Sequence, residues 1–484
     1  MKIALVTSEI VPFAKTGGLA DVAGALGKYL SLDGQDVRIF TPLYDISDTA
    51  SVTLHPVDYL QEITLDIGGE LIAFSVRSAR LPDGEADIYF IDAPRLYHRG
   101  KVYTDDDDEY LRFALLSRAA IECCQRMAWA PDVIHCNDWQ SALIPLLLRT
   151  IYSWDTLFRD TRTLLTIHNL AYQGAFSASV IERLGFNESD RALIHQDDLR
   201  WGAFNYLKHG IMYADAISTV SETYAREIMT KEYGEGLDPL LQSRSDALFG
   251  IVNGVDYEEW SPDADPYIAR PYGVEEREGK EENRRNLIER MELPWEPGAP
   301  IFGVVSRLVT QKGFDLFHAI MDPILHHVDM RLVILGTGAT DYEEYFRALE
   351  KRYPHKVAFY RGYSNELAHL VEAGSDIFLM PSRYEPCGLN QIYSLRYGTI
   401  PIVRRTGGLA DTVEPYNRRT GHGNGIVFEH YTPHGLAWAI QEALDLWGDR
   451  DAWDRMMENA MMADWSWERQ IEKYLKLYRW VRGD

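Results

Sequence analysis

Three features of the chain predict an α/β fold in two domains. Apolar, β-branched runs alternate with helical patterns along nearly the whole length, as in parallel sheets covered by helices. At 484 residues the chain is too long for one ordinary core. The string Lys-Thr-Gly-Gly-Leu-Ala-Asp at Lys15–Asp21 returns, with Arg for Lys, at Arg405–Asp411, each copy lying between an apolar run and a helical pattern. A cation, two glycines and a helix start make a turn whose backbone N–H groups can approach an anion closely.

In the first half, strands are expected at Ile3–Thr7, Val37–Thr41, Asp87–Ile91, Val133–His135, Thr163–Ile167, Ala216–Val220 and Leu248–Val252. Ile63–Ile67 and Leu71–Val76 flank Gly68-Gly69, a hairpin signal. Amphipathic helices are expected at Leu111–Ala128, Ala203–Tyr213 and Glu222–Met229. From about Val255 to Pro300 the chain turns charged and Pro-punctuated, as where one domain hands over to another. Alternation then resumes with strands at Ile301–Val305, Arg331–Leu335, Lys356–Tyr360, Asp376–Met380, Thr399–Val403 and Ile426–Glu429. Three helical segments follow Thr432, the last near Trp467–Val481. The boundaries drawn are residues 1–255 and 256–465, with the closing helix, 466–484, expected to return and brace the first domain.

Forty-nine basic against 73 acidic residues leave a net charge of −24. Such a field disfavours nucleic acid or an anionic membrane as main partner. No run approaches a membrane span, and a strand starting almost at residue 2 leaves no room for a signal peptide. Cys123, Cys124, Cys136 and Cys387 form no metal-type spacing. Reduced thiols in a cytoplasmic protein fit best, with no metal and no cofactor expected.

In open α/β sheets ligands bind beyond the carboxyl ends of strands. The first such loop holds Glu9, Lys15, Gly17, Gly18 and Asp21. Its spacing matches neither a dinucleotide fingerprint nor a Walker A loop. Asp21 alone would be only a helix-start charge. The second copy reads as a structural connection, with Arg405 a helper. His135-Cys136-Asn137-Asp138-Trp139 and His168-Asn169 end two further strands. An isolated Asp or His is more often a cap or a satisfied core group, but two strand-end clusters in one half favour a sugar site, where carboxylate, amide and imidazole share hydroxyls.

In the second half Arg307 and Lys312 follow a buried-looking strand and offer a guanidinium fork and a point charge, suited to a diphosphate. Glu385-Pro386-Cys387-Gly388-Leu389-Asn390 joins a strand to a helix whose N–H groups suit phosphate oxygens. Asp105–Glu109, five acids in a row, reads as an exposed loop or helix start rather than a metal site. Most of the aromatic residues are expected in the cores.

With these loops assembled, the chain resembles the bacterial glycogen synthases and plant starch synthases from Met1 to about Trp480. The carriers are Ser8-Glu9 through Asp21, His135–Trp139, His168-Asn169, Asn253-Gly254-Val255-Asp256, Ser306-Arg307 with Gln311-Lys312-Gly313, Glu385–Leu389 and Arg405–Asp411. The resemblance implies a GT-B glycosyltransferase with two Rossmann-like domains facing a deep cleft. It implies transfer of glucose from ADP-glucose to the non-reducing end of an α-1,4-glucan (glycogen or a maltooligosaccharide), with retention and without a metal. By the same resemblance Arg307 and Lys312 hold the diphosphate beside the Lys15–Gly18 loop. His168 and Asn169 touch the donor glucose, Asp138 lies near the reacting centre, Glu385 binds sugar hydroxyls and Tyr363 packs on the adenine. Asn253 and Glu9 lie near glucose and acceptor. Two positions depart from the family: Asn390 where Thr is usual and Gln140 where His is usual. The rival readings are a same-fold enzyme with a small acceptor and a silent glucan-binding protein. A glucan phosphorylase would need pyridoxal phosphate, for which no motif argues.

Overall fold

Lys2–Val6 (β1) starts a sheet whose further strands are Asp36–Pro42 (β2), His55–Pro56 (β3), Ile63–Ile67 (β4), Glu70–Arg80 (β5), Asp87–Asp92 (β6), Val133–Asn137 (β7), Arg162–Ile167 (β8), Ala216–Thr219 and Leu248–Gly250. A separate pair, Ala175–Ser177 (β9) with Ala203–Asn205 (β10), precedes the last two, which are therefore β11 and β12. The order is β12-β11-β8-β7-β1-β2-β6-β5-β3, with β4 on β5. From β12 to β6 every pairing is parallel, so their loops gather on one carboxyl edge. This computed structural model describes residues 1–484 and forms two compact units: Met1–Val220 with Ala225–Ile251 and Trp467–Asp484, and Ser221–Tyr224 with Val252–Ser466.

The first unit's core joins Ile3 and Leu5 of β1 to Val22, Leu26 and Leu30 of the helix Gly18–Leu32, and to Trp467, Ile471, Tyr474 and Tyr478 of the helix Trp467–Arg482. One expectation fails here. Ala203–Tyr213 is not one helix: Ala203–Asn205 pairs as β10, and the Asn205 side chain then accepts from Lys208 N at 2.9 Å, so the helix begins at Tyr206. An Asn at the N-cap satisfies one of the helix's orphan donors.

The second unit carries a parallel sheet, Ile301–Leu308 (β13), Arg331–Gly338 (β14), Val357–Arg361 (β15), Ile377–Met380 (β16), Ile400–Arg404 (β17) and Ile426–Phe428 (β18), in the order β15-β14-β13-β16-β17-β18. The stretch read as a handover holds a helix, Glu278–Arg290, whose buried positions Lys280, Asn283, Arg284, Leu287 and Ile288 follow helical spacing. Its buried stripe is half polar. Arg284 lies 2.9 Å from Asp376, and Lys280 donates to the carbonyls of Ala373 and Tyr397. No helix is long and apolar enough to cross a membrane. All four thiols are free and buried, and burial raises the pKa of each, which keeps them protonated and unreactive.

Candidate functional site

In the first unit β1, β7 and β8 are neighbours in register, Val6 beside Cys136 and Cys136 beside Leu165, so the residues that follow them share one edge. Glu9 is buried, and one carboxylate oxygen accepts from Thr16 N at 2.5 Å and Thr16 Oγ1 at 2.7 Å. Burial raises its pKa even against those donors. Glu9 thus fixes the start of the Lys15–Gly18 loop, and Lys15 closes it with an ion pair to Asp21 at 2.6 Å. The helix that follows begins at Gly18. A Cβ added at Gly17 would meet its nearest neighbour, Glu9 Oε1, at 3.7 Å, and one at Gly18 would meet nothing within 4 Å.

Asp138 stands just past β7 with φ of +53°, left-handed backbone that residues other than glycine seldom adopt. Its carboxylate accepts from His168 N at 2.7 Å and also from the Asn169 N–H, tying the end of β7 to that of β8. Burial, with a smaller push from Glu9, raises the Asp138 carboxyl to about 7 against these two donors. His168 Nε2 lies 2.9 Å from Asn137 Oδ1, and burial pushes this imidazole down to about 3, leaving it neutral. The structure therefore brings Glu9, Asp138, His168 and Asn169 together on one edge, with Lys15, Gly17, Gly18 and Asp21 in the Glu9 loop.

Sequence reasoning missed two members of this cluster. The Tyr103 hydroxyl lies 2.8 Å from Ser8 Oγ and also bonds Thr16, and burial, with smaller pushes from the Glu9 and Asp138 charges, raises its pKa. Asn137 was quoted only as part of a motif. For Tyr103 no local signal existed. For Asn137 the signal was its place at a strand end.

In the second unit the carboxyl edge collects Arg307, Lys312, Tyr363, the Glu385 loop and Arg405. Arg307 does not follow the strand as expected; β13 runs on to Leu308 and Arg307 pairs in register with Thr337. Lys312 ends a short turn, Thr310–Lys312, and Nζ lies 2.5 Å from Glu385 Oε2, a pair largely withdrawn from solvent. Ser382 Oγ donates to the same oxygen at 3.0 Å. Gly313, at φ +84°, lets this turn touch the next loop: a Cβ there would sit 2.1 Å from Pro381 O.

The Asn390 side chain donates to Val305 O at 2.7 Å, pinning the head of the helix Asn390–Arg396 to β13. Leu389 is that helix's N-cap residue, and Gly388 is left-handed at φ +74°. Cys387 is buried against the backbone of Asn253, whose Oδ1 is buried without a hydrogen-bond partner. Tyr363, two residues past β15, is 69% exposed and donates to Asn365 Oδ1. Arg405 pairs with Glu429 at 2.6 Å. Gln140, the other family departure, is buried with Oε1 unpartnered. Of the acidic run, Asp106 and Asp108 pair with Arg99, and Glu109 opens a helix and pairs with Arg112.

The first unit thus gathers carboxylates, an imidazole and amides at its strand ends, and the second gathers cations and a buried carboxylate. A family model described as the starch synthase catalytic domain matches residues 2–243, and one for glycosyl transferases group 1 matches residues 287–460. The chain is 45% identical to a glycogen synthase of Desulforudis audaxviator, over 99% of this chain and 96% of that one. It is 42% identical to the glycogen synthase of Thermotoga maritima, over 99% and 98%. Among solved structures, the catalytic domain of starch synthase IV from Arabidopsis thaliana, bound to ADP and acarbose, aligns over 100% of this chain and 99% of that one, with TM-score 0.91 and 32% identity. A sucrose-phosphate synthase from Thermosynechococcus elongatus shares the fold at TM-score 0.61 and 18% identity. The parallel-sheet pair is the GT-B fold, and the chain, a glycosyltransferase, belongs to the family of glycogen and starch synthases.

Proposed function

We propose that the protein transfers glucose from ADP-glucose to the non-reducing end of an α-1,4-glucan with retention of configuration. The observation that carries this reading is the full-length kinship with glycogen synthases and with a starch synthase structure that holds ADP and acarbose. The second unit, residues 252–466 with Ser221–Tyr224, is then the nucleotide-sugar side and the first the acceptor side. The buried thiols suit a reducing compartment, and the protein works in the cytoplasm.

Breaking the bond between the anomeric carbon and the diphosphate builds negative charge on the leaving oxygen and positive charge on the ring. Arg307 and Lys312 stabilise the former to the extent that they bind the transition state better than the ground state. The acceptor's 4-hydroxyl oxygen attacks from the face the diphosphate leaves, and its proton passes to a leaving phosphate oxygen. A covalent intermediate on a carboxylate is disfavoured by how the carboxylates are engaged. Asp138 is bonded by two backbone N–H groups and raised to about 7, and Glu385 is held by Lys312 and Ser382. Asp138 and His168 position the sugar, Asn169 and Glu385 bind its hydroxyls, and Tyr363 packs on the adenine. The backbone of Cys387–Asn390 and of Lys15–Gly18 approaches phosphate oxygens.

Labelled ADP-glucose or UDP-glucose incubated with glycogen or maltotriose tests the reading. Polymer-bound label with release of ADP is expected. Label appearing on a sugar phosphate instead, or glucan binding without ADP release, would overturn it.

A further inference from the structure

We propose that Asn137 is a positioning residue that holds His168 as its Nε2–H tautomer, so that Nδ1 is a hydrogen-bond acceptor reserved for a hydroxyl of the donor sugar. The inference rests on the reading of His168 as a sugar contact, and adds which way the hydrogen bond runs.

The argument begins at the strand below. Asn137 is fully buried, and its Nδ2 donates to the carbonyl of Val6 on β1 at 3.2 Å. A carbonyl only accepts, so the amide can face Val6 with its NH2 alone; the reverse orientation would oppose two oxygens. The backbone of Asn137 is held as well, its N–H donating to Ser141 Oγ at 2.6 Å and its carbonyl accepting from the same hydroxyl at 3.0 Å. The amide oxygen is thus committed to His168 Nε2, 2.9 Å away, and only a protonated nitrogen satisfies it there. An imidazole protonated at Nε2 and kept neutral by burial carries its lone pair on Nδ1. The ring cannot swap tautomers without losing the Asn137 bond. The backbone N–H of His168, spent on Asp138, fixes where the ring starts.

An acceptor at that position discriminates by donor capacity. A sugar hydroxyl can give Nδ1 its proton, whereas a fluorine in the same place cannot. The experiment has two arms on the intact protein. In the first, ¹⁵N-histidine NMR of the wild type, Asn137→Asp and Asn137→Ala reads the His168 tautomer. Nε2–H is expected in the wild type and in Asn137→Asp, whose buried carboxyl in its protonated form donates to Val6 O and keeps an acceptor oxygen for Nε2, and a mixture in Asn137→Ala. In the second, kcat/KM is compared for ADP-glucose and for its series of single deoxyfluoro analogues. One analogue should lose about tenfold beyond its intrinsic effect in the wild type and in Asn137→Asp, as for one lost hydrogen bond. In Asn137→Ala that excess penalty should shrink. Nδ1–H in the wild type, or fluoro penalties identical across the three proteins, would overturn the proposal. A purely structural role would instead lower activity toward every analogue alike. If the wild type transfers no glucose at all, the reading of the activity fails, and the tautomer arm still decides what Asn137 does.

Discussion

Replacing Asp138 by Asn should make the protein more stable at alkaline pH while costing it activity. Burial raises the carboxyl from 3.8 to about 7. A folded value above the unfolded one means that the native state keeps its proton longer than the unfolded chain does. Stability therefore falls as pH climbs from about 4 through about 7, and the loss is complete above that. At about 1.4 kcal/mol per unit, the part accruing between pH 5 and pH 8 is about 2–3 kcal/mol. Asn keeps an oxygen that can accept from His168 N or Asn169 N, tolerates the left-handed φ of +53° and does not ionise. The melting temperature of Asp138→Asn relative to wild type should accordingly rise by about 5–10 °C between pH 5 and pH 8, for a unit of this size. Calorimetry at pH 5, 6.5 and 8 measures it, beside ADP release from ADP-glucose and glycogen, which should fall. A melting-temperature difference that does not change with pH, or one that grows toward acid, would refute the reasoning.

Lys312→Ala should lose about 2–4 kcal/mol of transition-state stabilisation, roughly a 30- to 1,000-fold fall in kcat/KM; near-normal turnover in the folded variant would remove Lys312 from the mechanism. Gly407→Ala should destabilise the second unit by more than about 2 kcal/mol in urea unfolding, since it joins overpacking to a strained φ. Gly18→Ala should leave the unfolding midpoint within about 0.5 kcal/mol of wild type and raise the KM for ADP-glucose. A chain ending at Ser466 should fail to fold its first unit, because the helix it lacks buries Trp467, Ile471, Tyr474, Leu475, Leu477, Tyr478 and Val481. At about 1.5–3 kcal/mol for each buried side chain, that rivals the whole stability of a domain; a soluble truncation with the same melting temperature would contradict this.

Strands buried on both faces could be read from the chain because they are continuous apolar runs, and each expected one lies within a few residues of its observed place. What could not be read was polar. The helix Glu278–Arg290 hides its inward stripe behind charge: Lys280 and Arg284 are buried among partners that come from far along the chain. Arg307 looks like loop because it is charged, yet backbone pairing with β14 carries it inside the strand. Tyr103 joins Ser8 from 95 residues away, a proximity set by how β1 and the loops beside it fold rather than by any local pattern. Glu385 and Lys312 stood out as separate motifs; that the cation pairs with the buried acid needed coordinates.

The repeated heptapeptide shows why a motif's letters do not settle its work. At Arg405–Asp411 the glycines answer to the protein itself. Gly407 is left-handed at φ +43°, a Cβ there would lie 1.9 Å from Glu385 O, and one on Gly408 would lie 2.1 Å from Cys387 O. Gly408 N donates to the carbonyls of Glu385 and Pro386, both at 3.1 Å. The second copy is therefore the seat on which the Glu385 loop rests. At Lys15–Asp21 no such demand exists: Gly17 has an extended φ of −154°, and side chains at both glycines would meet open space or an ordinary contact. Glycines that neither the backbone nor the packing requires leave room for a close approach from outside the chain, and a helix N-terminus with a lysine beside it suits an anion. The Gly18→Ala and Gly407→Ala pair separates the two uses, since one should change ligand affinity at constant stability and the other stability first.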